Sequence, residues 1–221
     1  MTDHRLAISG LYAVTPDTVD STWLLARVGE AVAGGVRLVQ YRSKSPDRKL
    51  KREQARGLAT VCAARGVLFI VNDDVDLALE CGAAGVHLGR DDPEIAAARA
   101  RLGRDAVIGA SCYADLARAQ QCADAGADYL AFGSFFDSAV KPGATRAALA
   151  VLSEARRRWA LPLVAIGGIT PANAAPLLGA GADALAVISA LFHVPDTFGA
   201  AHAFTRLFAA RPSSAPQDAA A

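Results

Sequence analysis

The sequence carries little that would direct the chain to a nucleic acid, a membrane or an export pathway. Its 23 Lys and Arg residues are matched by 22 Asp and Glu residues, so the net charge creates no field for a polyanionic partner. Its apolar runs stay below the roughly 18 residues that a membrane span requires. The charges at Asp3 and Arg5 lead directly into an apolar strand pattern, so we expect no signal peptide. These absences predict a cytoplasmic protein without a nucleic-acid or membrane partner.

Cysteine is scarce, and its four residues form no C-x-x-C pair and have no histidine at zinc-site spacing. We expect Cys62, Cys81, Cys112 and Cys122 to be small reduced core residues. Cys112 follows Ser111, but nothing nearby in the sequence would lower the pKa of its thiol. The sequence therefore predicts no cysteine nucleophile.

Short apolar runs rich in Val, Leu and Ile recur along the chain and alternate with segments of helical periodicity. Runs this short and this continuously apolar are typical of strands buried on both faces of a parallel sheet. Strands that alternate with helices pair in parallel through right-handed crossovers. The predicted strands span residues 11–15, 36–42, 68–73, 86–89, 107–112, 129–134, 163–168 and 184–189.

These strands predict an α/β fold, a single-domain (β/α)8 TIM barrel. A chain of 221 residues with 52% hydrophobic residues has the length and the core for one such barrel. We expect the catalytic barrel to span residues 1–211 and residues 212–221, which lack an apolar period, to form a disordered tail. An open doubly wound sheet is the alternative, but its G-x-G-x-x-G fingerprint is absent after the first strand.

An internal repeat supports the barrel. The tetrapeptide Ala-Gly-Ala-Asp occurs at residues 125–128 and again at residues 180–183, each time just before a predicted strand. In each copy a glycine ends a helix, and a short turn leads into the strand. The repeat therefore predicts a strand–helix unit that recurs along the chain.

Polar residues and glycines follow almost every predicted strand, at the barrel end where such folds carry their chemistry. In an extended segment, alternate residues such as Gln40, Arg42 and Lys44 lie on one side. The other strand-end residues are Asn72, Asp73, Asp74, Arg90, Asp91, Asp92, Ser111, Ser138, Lys141, Gly167, Gly168, Ile188 and Ser189.

Each of these groups also has a purely structural interpretation. The acidic residues after strands 3 and 4 are typical helix N-caps, and Gly167-Gly168 is typical of a tight turn. Arg42 and Lys44 could be ordinary solvated charges. His87 lies within a strand, and we expect it to be a packed core histidine; His4, His193 and His202 lie outside the strand ends and receive no role.

Taken together, the strand ends offer two anion sites and one cation site. Gln40, Arg42, Lys44 and Lys141 are donors that can surround a diphosphate. Asp73 and Asp92 are oxygen ligands of the kind that Mg²⁺ prefers, in combination with substrate phosphate oxygens. The Gly167-Gly168 turn and Ser189 follow strands 7 and 8, where these barrels bind a phosphate on backbone N–H groups. The combination indicates a transferase with two phosphorylated substrates.

The strand-end motifs resemble those of the thiamine-phosphate synthase family over roughly residues 11–192. Each motif is weak alone, and their order makes the resemblance specific. The motifs are Gln40-Tyr41-Arg42-Ser43-Lys44, Val71-Asn72-Asp73-Asp74, Gly85-Val86-His87-Leu88-Gly89-Arg90-Asp91-Asp92, Ile108-Gly109-Ala110-Ser111, Lys141-Pro142-Gly143, Ala165-Ile166-Gly167-Gly168-Ile169-Thr170 and Val187-Ile188-Ser189.

The resemblance implies a transferase that joins hydroxymethylpyrimidine diphosphate to a thiazole phosphate and releases pyrophosphate. It implies Mg²⁺ on Asp73 and Asp92, and it implies that Lys141, Arg42, Lys44 and Ser111 are the catalytic residues. The pyrimidine diphosphate would be bound by Gln40, Tyr41, Arg42, Ser43, Lys44, Asn72, Ser111 and Lys141. The thiazole phosphate would be bound by Ser138, Ala139, Val140, Gly168, Ile188 and Ser189.

The sequence departs from the family pattern at two places. The family has a Thr-x-Thr pattern before the lysine, whereas this chain has Ser138 and then Val140. One hydroxyl for the thiazole phosphate is therefore missing. Arg90 and Asp91 stand where Gln-Glu is often found.

Three alternatives remain. A related thiazole tautomerase would bind the same thiazole phosphate but would not need the carboxylates Asp73 and Asp92. A non-catalytic phosphate-binding paralogue could keep the glycine turn and lose those carboxylates. An isomerase or aldolase barrel would need a carboxylate base or a Schiff-base lysine, for which Lys141, beside a glycine in a loop, is poorly placed.

Overall fold

The computed structural model of the protein describes residues 8–90, 94–137 and 146–209. Its sheet is a closed barrel of parallel strands in the order β1 to β8, in which β8 pairs with β1. The strands are β1 Gly10–Val14, β2 Leu38–Tyr41, β3 Leu68–Asn72, β4 Gly85–Leu88, β5 Val107–Tyr113, β6 Tyr129–Gly133, β7 Leu163–Ile166 and β8 Ala184–Val187.

Helices connect the strands and cover the outside of the barrel. Several begin at an aspartate whose carboxylate accepts hydrogen bonds from backbone N–H groups of the first turn, as at Asp20, Asp47, Asp74 and Asp115. The described helices are α1 Ser21–Ala33, α2 Arg48–Ala63, α3 Val75–Cys81, α4 Ile95–Leu102, α5 Leu116–Asp124, α6 Ala150–Arg158, α7 Ala175–Gly179, α8 Ser189–Phe192 and α9 Thr197–Ala209.

Apolar side chains fill two separate layers. The larger layer lies between the outer face of the barrel and the helices, where residues such as Leu24, Leu58 and Phe204 are fully buried. The smaller layer lies inside the barrel and includes Tyr12 and Tyr129. Burial on both faces explains why the strands are apolar at almost every position.

The internal repeat forms two equivalent braces. Asp128 Oδ2 accepts a hydrogen bond from the Ile108 backbone N–H (2.7 Å) and pairs with Arg99 of α4 (2.6 Å). Asp183 Oδ2 accepts one from the Leu163 N–H (2.8 Å) and pairs with Arg156 of α6. Each aspartate comes just before a strand, so both braces lie at the amino ends of the strands and join neighbouring strands to a helix.

The predicted barrel and all eight predicted strands are confirmed, with strand ends that differ by at most two residues. The alternative interpretation of the polar residues after β3 as a helix cap holds for Asp74, whose carboxylate accepts a hydrogen bond from the Leu77 N–H at 2.9 Å. The predicted tail at residues 212–221 lies outside the described residues, so the division of the chain at residue 211 stays a prediction. Among the helices that the structure describes, none has the length and apolar content needed to cross a membrane.

Candidate active site

A cavity of about 780 Å³ opens at the carboxyl ends of the strands. Its volume lies within the range of small-molecule sites, about 300–1,000 Å³. Seven of the residues that the family resemblance assigns to substrate binding line this cavity. They are Gln40, Arg42, Asn72, Ser111, Gly168, Ile188 and Ser189.

The end of β2 is held in place by residues that follow β1. The buried Thr15 hydroxyl accepts a hydrogen bond from the Arg42 N–H (2.9 Å) and donates one to the Arg42 carbonyl (3.1 Å). Asp17 accepts a hydrogen bond from the Lys44 N–H at 2.6 Å and lies 3.6 Å from the Arg42 guanidinium. These contacts fix the backbone and leave the Arg42 side chain at the cavity wall.

The remaining residues of this segment do not line the cavity. The Tyr41 side chain packs outside the barrel, where its hydroxyl donates to Gln54 Oε1 of α2 at 2.8 Å. Burial raises the pKa of the Tyr41 phenol. Lys44 is exposed. The alternation of the strand explains the difference, because Gln40 and Tyr41 point to opposite faces of the barrel wall.

Asp73 follows β3 in a left-handed backbone conformation, with φ of 63°. Such a conformation is uncommon outside glycine, although Asp and Asn adopt it more readily than other residues. Its carboxylate accepts a hydrogen bond from the amide of Asn72, which itself lines the cavity. Within residues 8–90, 94–137 and 146–209, no group of three or more His, Cys, Asp or Glu side chains is arranged around a common metal position.

A chain of hydrogen bonds crosses the interior of the barrel beneath the cavity. The Gln40 amide nitrogen donates to the Tyr12 hydroxyl at 2.6 Å, and the Tyr12 and Tyr129 hydroxyls are 2.8 Å apart. His87 Nδ1 lies 2.8 Å from the Tyr129 hydroxyl, and His87 Nε2 lies 2.8 Å from Ser111 Oγ. The chain therefore connects two predicted substrate-binding residues through three buried side chains.

Close packing explains the Gly167-Gly168 pair after β7. Their φ angles are 108° and 62°, and a Cβ at Gly168 would lie 2.3 Å from the Asp137 carbonyl oxygen. Asn173 holds the turn, since its Oδ1 accepts from the Thr170 N–H (2.8 Å) and its Nδ2 donates to the Gly168 carbonyl (3.0 Å). Only glycine fits this turn.

Ser189 is the first residue of the short helix α8. Its hydroxyl oxygen is buried and has no hydrogen-bond partner among the described residues. A buried polar atom without a partner is costly, so such atoms are rare unless a ligand or water completes them. Ser189 lines the cavity, and its hydroxyl forms no hydrogen bond within the part of the chain that the structure describes.

Two arginines flank Tyr113 at the edge of the cavity. Tyr113 has a left-handed backbone, with φ of 57°, and its ring lies 5.0 Å from the Arg90 guanidinium and 6.0 Å from that of Arg118. Arg118 also donates to the Ser111 carbonyl at 2.6 Å and to the Gly89 carbonyl at 2.7 Å. Arg118 thereby holds the ends of β4 and β5 together.

The cysteines are free, as predicted. A hydrogen bond to Cys122, together with burial, raises the pKa of the Cys112 thiol far above its ordinary value. A thiol held protonated is a poor nucleophile. The structure therefore supports the expectation that Cys112 is not a nucleophile.

Several predicted site residues lie outside the described residues. They are Asp92, Ser138, Ala139, Val140 and Lys141. Their assignments stay predictions.

The structure also brings to the site three residues to which the sequence analysis assigned no part in it. Tyr12, Tyr129 and His87 form the buried chain, and the expectation of a packed core histidine at His87 was incomplete: its side chain is 8% exposed, yet it lines the cavity and contacts Ser111. A tyrosine within an apolar strand could have indicated this chain from the sequence, because a buried phenol needs a hydrogen-bond partner.

A closed barrel of parallel strands alternating with helices, with a cavity at the carboxyl ends of the strands, defines the (β/α)8-barrel class of proteins. The family model for thiamine monophosphate synthase matches residues 11–191, and the chain belongs to this family. It is 57% identical over 203 residues to a thiamine-phosphate synthase of Thiobacillus denitrificans, covering 92% of this chain and 96% of that protein. It is 53% identical over 204 residues to a thiamine-phosphate synthase of Chromobacterium violaceum, and the match covers 92% of this chain and 98% of that protein.

A solved structure agrees with the sequence relatives. The thiamine phosphate pyrophosphorylase from Pyrococcus furiosus superposes with a TM-score of 0.82 at 33% identity, covering 91% of this chain and 96% of that one.

Proposed function

We propose that the protein joins 4-amino-2-methyl-5-hydroxymethylpyrimidine diphosphate to a methylthiazole-ethyl phosphate, giving thiamine monophosphate and pyrophosphate in thiamine biosynthesis. The bond between the pyrimidine methylene carbon and the diphosphate oxygen breaks, and its electron pair leaves with pyrophosphate. The thiazole nitrogen supplies the pair for the new carbon–nitrogen bond. A carboxylated thiazole would also release CO2.

One observation carries this proposal: the 57% identity, over nearly the whole of both chains, to a protein named thiamine-phosphate synthase. The cavity supports it independently, because the residues that line it include the cation Arg42 and also Ser189, whose hydroxyl has no partner among the described residues. These groups suit two separate phosphate-bearing ligands.

The reacting carbon is benzylic in type and attached to an electron-rich aminopyrimidine, so the transition state carries positive charge on the pyrimidine and negative charge on the leaving diphosphate. Arg42, with Lys44 and Lys141, would stabilise the diphosphate charge. Asn72, Ser111 and the Gln40–Lys44 segment would hold the pyrimidine diphosphate. No protein nucleophile is required.

The thiazole phosphate would bind at the Gly168 turn, at Ile188 and Ser189, and at residues 138–140, which lie outside the described residues. The Ser189 hydroxyl and exposed backbone N–H groups are suitable donors for a phosphate. Anchoring the substrate by its phosphate orients the ring nitrogen toward the pyrimidine and converts binding energy into orientation. Val140 supplies no hydroxyl, so more of the binding depends on Ser138 and Ser189.

We propose Mg²⁺ as the cofactor. The exposed Asp73 carboxylate at the end of β3, one residue from the cavity-lining Asn72, fits a cation that takes one or two carboxylates and substrate phosphate oxygens. Asp73 and Asp92 would hold the ion, which when bound neutralises charge on the diphosphate.

The test is to incubate the protein with both phosphorylated substrates and Mg²⁺ and to measure thiamine monophosphate and pyrophosphate. Both products should form in equal amounts and only when both substrates are present. Isomerisation of a thiazole phosphate without transfer would favour the tautomerase alternative. Binding of either substrate without any conversion would favour the non-catalytic paralogue.

A further inference from the structure

We propose that Tyr12, Tyr129 and His87 are positioning residues that form one directional hydrogen-bond relay. The relay would fix the Gln40 side-chain oxygen as an acceptor and the Ser111 hydroxyl as a donor toward the pyrimidine substrate. This inference rests on the proposed function for the identity of that substrate.

The direction of the relay follows from its Gln40 end. An amide nitrogen can only donate, so the Tyr12 oxygen accepts from Gln40 Nε2, 2.6 Å away. The Tyr12 proton then points to the Tyr129 oxygen at 2.8 Å. The Tyr129 proton in turn points to His87 Nδ1, also at 2.8 Å.

The direction determines the tautomer of His87. Because Nδ1 accepts from Tyr129, the ring proton resides on Nε2, which donates to Ser111 Oγ at 2.8 Å. A proton on both ring nitrogens would leave one buried phenol proton without an acceptor, since Tyr12 already accepts from Gln40. The neutral Nε2–H form satisfies every link in the chain.

Burial keeps the relay intact. Tyr12 and Tyr129 are buried, and burial raises the pKa of both phenols well above the ordinary value, so both hydroxyls retain the proton that they donate. The rings are also fixed by packing. Tyr129 stacks on His87 with centroids 5.6 Å apart and meets the Tyr12 ring edge-on at 6.2 Å.

The relay has a consequence for recognition at both of its ends. Gln40 donates one of its N–H groups to Tyr12, which fixes the orientation of the amide and leaves its oxygen available as an acceptor for a ligand. The Ser111 hydroxyl oxygen accepts a hydrogen bond from the His87 Nε2–H, so the hydroxyl proton is available for donation to a ligand. One acceptor and one donor are the complement of an aminopyrimidine, which offers an exocyclic N–H and ring nitrogens with lone pairs. By orienting Gln40 and Ser111, the relay would contribute to binding of the pyrimidine substrate. It would not contribute to binding of the thiazole phosphate.

The first test reads the tautomer directly, in the intact protein without ligand. Nitrogen-15 NMR of the imidazoles, with the His87 signal assigned by its loss in His87→Gln, should give a protonated Nε2 and an unprotonated Nδ1. A protonated Nδ1 would reverse or break the relay and overturn the proposal. This measurement does not depend on enzymatic activity, so it tests the relay even if the proposed function is wrong.

The second test separates positioning from general stability. Tyr129→Phe removes one hydroxyl and should raise the KM for the pyrimidine diphosphate by about tenfold, the effect of one lost hydrogen bond, with the KM for the thiazole phosphate within about twofold of the parent. Tyr12→Phe and the double variant should give similar increases, because one break interrupts the relay. Equal changes in both KM values would overturn the proposal.

A matched control is Thr205→Val, which removes a hydroxyl that donates to the Gly34 carbonyl (3.1 Å), near the amino end of β2 and away from the cavity. This variant should change neither KM. If the parent forms no thiamine monophosphate, the proposed function fails. If the parent is active and Tyr129→Phe matches Thr205→Val, the relay alone fails.

Discussion

The ring of Tyr129 occupies the space that a side chain at Gly109 would fill. These two residues are register partners in β5 and β6, and a Cβ at Gly109 would lie 1.9 Å from Tyr129 Cζ and 2.3 Å from its hydroxyl oxygen. The absence of a side chain at Gly109 therefore sets the position of the central hydroxyl of the relay.

We expect Gly109→Ala to destabilise the protein by about 1–3 kcal/mol, the usual cost of adding a methyl group to a packed core. Tyr129 must move, so the pyrimidine KM should rise as well. Urea unfolding of the variant would measure the free energy. The control is Gly29→Ala in α1, where a Cβ meets nothing within 4 Å and should stabilise the helix by about 0.5–1 kcal/mol. A stability of Gly109→Ala equal to the parent would contradict this prediction.

The metal assignment predicts a large effect of Asp73→Asn. Asparagine tolerates the left-handed backbone at this position, so the fold should be kept while one ligand charge is lost. We expect kcat to fall by about a hundredfold, in line with several kcal/mol of charge stabilisation. Turnover measured against Mg²⁺ concentration checks this.

Asp74→Asn is the matched control, because Asp74 caps α3 and asparagine caps a helix equally well. Its activity and its Mg²⁺ dependence should match those of the parent. If Asp73→Asn behaves like Asp74→Asn at saturating Mg²⁺, Asp73 is not a metal ligand.

The Ser189 hydroxyl, which has no partner in the described part of the chain, predicts opposite effects of Ser189→Ala on stability and on binding. Ser189→Ala removes a buried polar atom that lacks a partner among the described residues, so the ligand-free Tm should stay the same or rise. The KM for the thiazole phosphate should rise about tenfold or more, since a hydrogen bond to a charged group contributes about 1.5–3 kcal/mol. Thermal unfolding with and without thiazole phosphate would measure both effects.

Thr197→Val provides the contrast. The buried Thr197 hydroxyl donates to the Leu191 carbonyl at 3.0 Å, so its removal should lower the ligand-free stability by about 1 kcal/mol. A comparable loss in Ser189→Ala would mean that the Ser189 hydroxyl has a partner in the free protein.

Acid pH should weaken the contact between α2 and α3. Hydrogen bonds from Arg52 (2.5 and 3.0 Å) and from Arg48 (3.1 Å) hold the pKa of Glu80 at about 2 instead of 4.5. Because the pKa is lowered in the folded state, the contribution to stability is present above pH 4.5 and is lost as the pH falls toward 2.

Carboxyl NMR titration of Glu80 would measure this shift. In Arg52→Gln the pKa of Glu80 should move back toward 4.5, since Arg52 is the main cause of the shift. Lys51→Gln, on the same helix, should leave that pKa nearly unchanged, because Lys51 forms no ion pair with the residues described. An unshifted pKa in Arg52→Gln would contradict the assignment.

The barrel was predictable because its strands are buried on both faces, which leaves an apolar signal in local sequence. The positions of Gln40 and Ser189 at the cavity were predictable, because polar residues at strand ends stand out against that signal. The relay was not predictable, since Tyr12 and Tyr129 are 117 residues apart and meet only through barrel closure. Tyr41 belongs to the same motif as Gln40, yet strand alternation turns its hydroxyl to α2.

The braces at Asp128 and Asp183 lie at the opposite end of the barrel from the cavity, so the contacts that hold the strands to the helices are separate from the candidate active site. They join neighbouring strands to a helix at the amino-end rim, whereas the cavity lies at the carboxyl-end rim. Variation in the cavity loops therefore leaves this scaffold intact. A combinatorial library that randomises the carboxyl-end loops and keeps Arg99, Asp128, Arg156 and Asp183 fixed can explore new acceptor heterocycles on an unchanged frame.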